Sequence, residues 1–137
     1  MTTRIRRHRG GVRIEQHGWV LTELPYRPGP THSIFDVLAV ATHLYACGPR
    51  IAVLGFAGGG MVAPLRKLGG GHVVHGVDLE VEVYRVFESV AREWGGEDAF
   101  ERDDALAWMR RQRARVDGIV EYLSVPHVDE TANREGS

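Results

Sequence analysis

Cysteine is almost missing. Cys47 is the only one in 137 residues, so no intrachain disulfide can form and no zinc site can be built on thiolates. The compartment expected from this is a reducing cytoplasm. An excess of one charge is missing too: 17 Lys and Arg stand against 18 Asp and Glu, a formal net charge of -1. There is therefore no overall electrostatic reason to bind nucleic acid or an anionic membrane surface, and neither is expected as a partner. No apolar run is long enough to span a bilayer, and the basic stretch "RIRRHRGGVR" at residues 4 to 13 is not followed by an apolar signal core. That stretch reads as a solvated tail entering a first strand. Internal repeats and low-complexity tracts are also absent.

What is present suits one packed core. Hydrophobic residues make up 43% of the chain, and a chain of this length buries roughly two-thirds of its unfolded surface. Residues 1–30 form an N-terminal β-hairpin region, with strands at Val12 to Gln16 and Trp19 to Leu24 and a turn at His17 and Gly18. Pro and Gly residues at 25 to 30 end it. In "THSIFDVLAVATHLYACG", Ile34, Val37, Leu38, Ala41, Leu44 and Tyr45 recur at helical spacing, with Thr31 or Ser33 as N-cap. "RIAVLGF" reads as a strand buried on both faces, "MVAPLRKLG" as a helix, "HVVHGVDL" as a second buried strand. Residues 81 to 94 form a helix with Val83, Val86, Phe87 and Val90 on one side. A short strand "AFER", a helix "DDALAWMRRQRAR" and a strand "VDGIVEYL" follow. This alternation predicts a Rossmann-like α/β domain over residues 31–124, with a mostly parallel sheet and helices on both faces. Residues 125–137 read as a polar tail.

In such sheets ligands bind beyond the carboxyl ends of the strands. After the first parallel strand come Gly55, Phe56, Ala57, Gly58, Gly59 and Gly60. Glycines there permit a tight turn and let a ligand approach the backbone at a helix N-terminus, although a merely flexible turn has the same composition. Asp78 ends the second strand, 18 positions after Gly60. That is close to the roughly 20-residue spacing of a ribose-binding acid, and a carboxylate can accept from both hydroxyls of a vicinal diol. Its structural alternative is a helix cap. Asp103 and Asp104 precede the next helix; one of them suits an N-cap, and Asp104 suits acceptance from an adenine amino group. His72 and His75 flank a strand at a spacing that serves neither face, so they read as structural, and no metal site is expected.

The order "VLGFAGGG", "HGVDLE", "RDDALAWM", "VDGIVEYL" resembles the S-adenosylmethionine-binding half of class I methyltransferases, and most resembles the spermidine synthase-like, or polyamine aminopropyltransferase, branch. The resemblance runs over about residues 12 to 123. It implies a truncated class I methyltransferase-like fold that takes S-adenosylmethionine or its decarboxylated form, with an amine as acceptor. It places Gly55, Ala57, Gly59 and Gly60 in the donor turn, Asp78 at the ribose and Asp104, beside Asp103, at the adenine. Gly58 stands where that branch carries Asp, and Phe56 and Ala57 replace two glycines. Tyr122 stands where an aspartate is expected, with Glu121 one position early and directed to the opposite face.

Aminopropyl transfer needs an uncharged attacking amine, carboxylates to hold the polyamine and a group to take a proton. Methyl transfer demands less of the acceptor half. The resemblance also implies further helices and strands after the fourth parallel strand, whereas "SVPHVDETANREGS" is polar, and His127, Asp129 and Glu130 in it read as solvated. No catalytic residue is assigned. Two function classes follow: a methyl- or aminopropyl-transferase, or a shortened, non-catalytic relative that binds a nucleoside or a protein. A nicotinamide-binding domain shares the glycine turn and ribose acid but gives Asp103 and Asp104 no role. The last strand, with Ile119, Val120 and Leu123, is expected at an open sheet edge covered by a second copy, making a homodimer.

Overall fold

The computed structural model describes residues 3–112 and 115–122. Three antiparallel strands come first: β1 (Thr3–His8), β2 (Gly11–Gln16) and β3 (Trp19–Pro25), in the order β1-β2-β3. The β2–β3 turn falls at His17 and Gly18, both with positive φ (54° and 78°), as a two-residue hairpin of primed type requires. The expected basic tail is instead an edge strand. Arg4 pairs across from Glu15 and Arg6 from Arg13, while Arg6 meets Glu15 at 3.5 Å and Arg13 bonds Glu23 at 2.5 Å. Neighbouring carboxylates offset the arginines, so a basic sequence can sit in a ladder.

A four-stranded parallel sheet follows, in the order β6-β5-β4-β7. Its strands are β4 (Arg50–Leu54), β5 (Val73–Asp78), β6 (Glu97–Arg102) and β7 (Gly118–Glu121), joined by helices α2 (Val62–Leu68), α3 (Val81–Ala91) and α4 (Ala105–Arg111). Helix α1 (Ile34–Tyr45) precedes them. This is the expected α/β architecture, extended by one strand at the front. In β4, Ile51 to Leu54 are all buried, as a central parallel strand covered on both faces must be. Ile51 and Val53 join a large core with Phe35, Val62, Leu65, Val83 and Phe87, to which the N-terminal sheet adds Val12, Ile14 and Leu24. Ala52 and Leu54 face the other way, onto Val77 and Trp108. The small N-terminal sheet thus shares the core of the parallel one, and α4 covers the opposite face.

Helix α1 departs from expectation. Ser33 caps it, accepting from the Phe35 amide, and the apolar repeat is present. The residues turned inward are however Phe35, Ala39 and Thr42, about a third of a turn away from the predicted stripe. Ile34, Val37, Leu44 and Tyr45 stay exposed. A helix apolar on nearly every side gives periodicity no unique inner face.

At the amino ends of β5 and β6, Arg66 of α2 acts as a clamp. It donates to the carbonyls of His72 (2.5 Å) and Glu97 (3.1 Å) and pairs with Asp98. Both partners are largely out of water, with side chains 8% and 16% exposed. Burial pushes the Asp98 carboxyl above its ordinary range, and Arg66 offsets that only in part. His72 lies beside this clamp, its ring edge-on to His43 at 5.6 Å. Burial, then His43 and Arg66, hold its imidazole below the ordinary 6.5.

Two expectations follow. Arg66→Met strands the Asp98 charge and should cost about 3 kcal/mol or more in urea unfolding, with an unchanged m-value. Because the unfolded chain binds a proton at His72 more readily than the folded one, stability should fall as pH drops below 6.5. His72→Gln should flatten the dependence of the melting temperature on pH between about 7.5 and 5.5.

Candidate functional site

The carboxyl ends of β4, β5 and β6 are tied together by their own loops. Gly55 continues β4 by donating to the Val77 carbonyl at 2.9 Å, with φ at 76°. Phe56 then turns inward, and Ala57, a non-glycine residue, takes a positive φ of 51°. Its amide donates to Asp78 Oδ2 at 3.3 Å. Asp78 Oδ1 accepts from the Leu79 and Glu80 amides at 2.7 and 3.2 Å, and the Asp78 carbonyl accepts from Asp103 N at 3.1 Å. Glycine turn, strand-end acid and the Asp103–Asp104 loop therefore meet at one edge of the sheet, where an open α/β sheet takes its ligands.

The same bonds fill the roles of the structural alternatives. Asp78 links the turn to the entry of α3, and three N–H donors occupy most of its roughly four acceptor sites. Asp104 is the N-cap of α4, accepting from Ala107 N at 3.1 Å through Oδ2. Asp103 accepts from Asp104 N at 2.8 Å and pairs with Arg111.

The glycines divide into two groups. Gly55 shapes the turn. Gly59 and Gly60 are packing positions: a Cβ on Gly59, at φ 78°, would lie 2.3 Å from the Phe87 ring, and one on Gly60 would lie 2.2 Å from Thr22 Oγ1 and 2.7 Å from Phe35. Gly76 is similar, since its Cβ would meet the Phe56 ring at 2.4 Å. No side chain fits because α1, α3 and β3 press onto the loop. Composition alone does not separate this from a cradle left open for a ligand.

Tyr122 N extends the sheet by donating to Leu54 O at 2.8 Å, and its ring packs on Phe35 at 5.0 Å between centroids. Where the resembled branch carries an aspartate, this chain thus has a ring committed to the core, while Glu121 is exposed. Leu123, His127, Asp129 and Glu130 lie outside the described residues. Among the described residues no group of three or more His, Cys, Asp or Glu side chains could hold a metal, and no helix is long and apolar enough to cross a membrane. His75 stacks on Trp108 at 5.6 Å.

Sequence reading passed over Leu79 and Leu106, 58% and 60% exposed, which follow Asp78 and flank Asp104. The available signal was an aliphatic residue beside each loop acid, outside any buried stripe.

Comparison with solved structures identifies the fold as methyltransferase-like in part. A protein of Corynebacterium glutamicum is 18% identical over 79% of this chain and 52% of its own, with a TM-score of 0.53. The O-methyltransferase TomG of Streptomyces achromogenes, involved in tomaymycin synthesis and solved with SAM, is 17% identical over 77% of this chain and 50% of its own, with a TM-score of 0.52. The chain thus spans about half the length of the solved structures it matches. No family model matches, and no curated protein matches. These likenesses concern the fold, and neither is specific to the aminopropyltransferase branch.

Gly60→Ala should destabilise the protein by about 1–3 kcal/mol through overpacking against Thr22 and Phe35. The check is urea unfolding without ligand.

Proposed function

We propose that the chain binds the nucleoside part of an S-adenosyl sulfonium donor at the edge formed by Gly55, Ala57, Asp78, Asp103 and Asp104. The observation that carries this is the hydrogen-bonded meeting of the turn, Asp78 and the Asp103–Asp104 loop. Support also comes from the likeness in fold to TomG, which was solved with SAM. One ribose hydroxyl bonds the remaining acceptor site of Asp78 Oδ2; a bidentate grip on the diol would have to displace an amide. The adenine amino group donates to Asp104 Oδ1, the oxygen left over from helix capping, and its faces lie against Leu79 and Leu106. Gly59 and Gly60 support the turn from behind.

The transfer this site suits best is that of a methyl group. Displacement at a sulfonium carbon needs a nucleophile held in line, and an acceptor that enters already deprotonated needs no base from the protein. Aminopropyl transfer to an amine needs carboxylates at the acceptor, and the ring of Tyr122 fills the position where one is expected. A second reading, nucleoside binding without turnover, is favoured by Tyr122, whose ring stands where the resembled branch carries an aspartate.

Calorimetric titration with S-adenosylmethionine, its decarboxylated form, methylthioadenosine and NAD separates the readings. All three adenosyl sulfur compounds should bind and NAD should not. Asp78→Ala should weaken binding about tenfold, the effect of one hydrogen bond to a charged group. Its melting temperature must be read alongside, because Asp78 also holds the loop. Binding of none of the four, or unchanged affinity in a folded Asp78→Ala variant, overturns the assignment.

A further inference from the structure

The molecule manages its sheet edges unequally. β1 carries Arg4, Arg6 and Arg7, and β6 reads "EDAFER". Charge on an edge strand discourages pairing with another chain. β7, the other edge of the parallel sheet among the described residues, reads "GIVE", its only charge at the last position. Ile119 on it is 49% exposed.

Beside β7 lies a groove of ≈ 350 Å³, lined on the helix side by Leu38, Ala41 and Tyr45. The groove continues into the outward stripe of α1, where Ile34, Val37, Leu44 and Tyr45 are 51, 62, 65 and 81% exposed. No charged side chain interrupts this stripe. A helix apolar on both its inner and outer sides suits a place covered from both sides, and the described residues cover only the side of Phe35, Ala39 and Thr42.

We propose that a second copy of this chain covers the other side: β7 pairs antiparallel with β7 of the second copy about a two-fold axis, and the two α1 stripes meet beside it. A strand edge is self-complementary in this arrangement, with Ile119 facing Ile119 of the second copy on the sheet face away from α1 and each backbone group finding its counterpart. Area favours the same occupant. The exposed parts of the stripe and Ile119 amount to on the order of 500 Å² of apolar surface per copy. A standard interface covers about 800 Å² per partner, of which about 65% is apolar in homodimers, so these surfaces on the two sides of the β7 edge together are the size such a contact needs. Tyr45, the most exposed of these residues, belongs to a type enriched at interfaces. The contact is independent of the proposed donor site, which lies at the ends of β4, β5 and β6.

Sedimentation equilibrium on the full chain at tens of micromolar tests this, with Val37→Glu and Leu44→Arg made separately. Both positions are mostly exposed, so each variant should keep its circular dichroism spectrum and melt cooperatively. The unmodified chain should have twice the chain mass, and each variant should weaken the dimer at least 100-fold. Three results overturn the proposal. One is a dimer unaffected by both substitutions, which places the contact elsewhere. Another is a monomer whose β7 amides resist hydrogen exchange, which gives the edge to the chain's own residues. The third is a monomer whose β7 amides exchange freely.

Discussion

The packing of Phe87, Thr22 and Phe35 onto the backbone of Gly59 and Gly60 is the contact on which the rest of the molecule depends. Those three side chains come from α3, β3 and α1, so the turn after β4 is where the N-terminal sheet and two helices meet the parallel sheet. A Cβ at either glycine would come within 2.3 Å of one of them, so the approach exists only because those side chains are missing. Packing at this density leaves little slack, and the turn is held from behind as well as by Asp78 in front. Its conformation, including the positive φ of Ala57, is therefore set before any ligand arrives. Preorganisation of that kind lowers the ordering cost of binding.

The same economy limits what the acids can do. Asp78 and Asp104 each hold backbone amides that would otherwise be orphaned at a loop or helix start. A carboxylate so used stays fixed in direction, which helps recognition, but it has fewer free acceptor sites. In the proposed site the structural and functional roles are thus not alternatives at these positions. At Asp104, Oδ2 serves the helix while Oδ1 remains open; at Asp78 the remaining acceptor site is on Oδ2, beside the Ala57 amide. Tyr122 differs, because its ring packs on Phe35 and it supplies no carboxylate.

Much of the fold was legible because its signals were redundant. β4 announced itself by an unbroken apolar run between Arg50 and Gly55, and the β2–β3 hairpin by His17-Gly18 between alternating strands. β1 was not legible, since its arginines read as a solvated tail until Glu15 and Glu23 are seen across the ladder. In the site, the positions of Asp78, Asp103 and Asp104 followed from strand ends and spacing. The split among the glycines did not, because it depends on Phe87 and Thr22, which come from distant parts of the chain. Local pattern reports which backbone can turn; only tertiary contact reports what fills the space.

Helix α1 shows the same limit from the other side. Ile34, Val37, Leu38, Ala41, Leu44 and Tyr45 are a true apolar stripe, and reading them as the inner face followed the ordinary rule that one stripe means one core. The rule fails where a helix has two apolar sides, since burial then goes to whichever set offers the closer fit. Here the inner set is Phe35, Ala39 and Thr42, which combines one large ring with small residues and lets the helix approach Gly60 closely enough for Phe35 to touch it. The bulkier aliphatic residues would hold α1 away from the glycine turn. Close packing at the turn therefore selects the inner face of α1, and leaves the stronger stripe of the two looking outward beside β7.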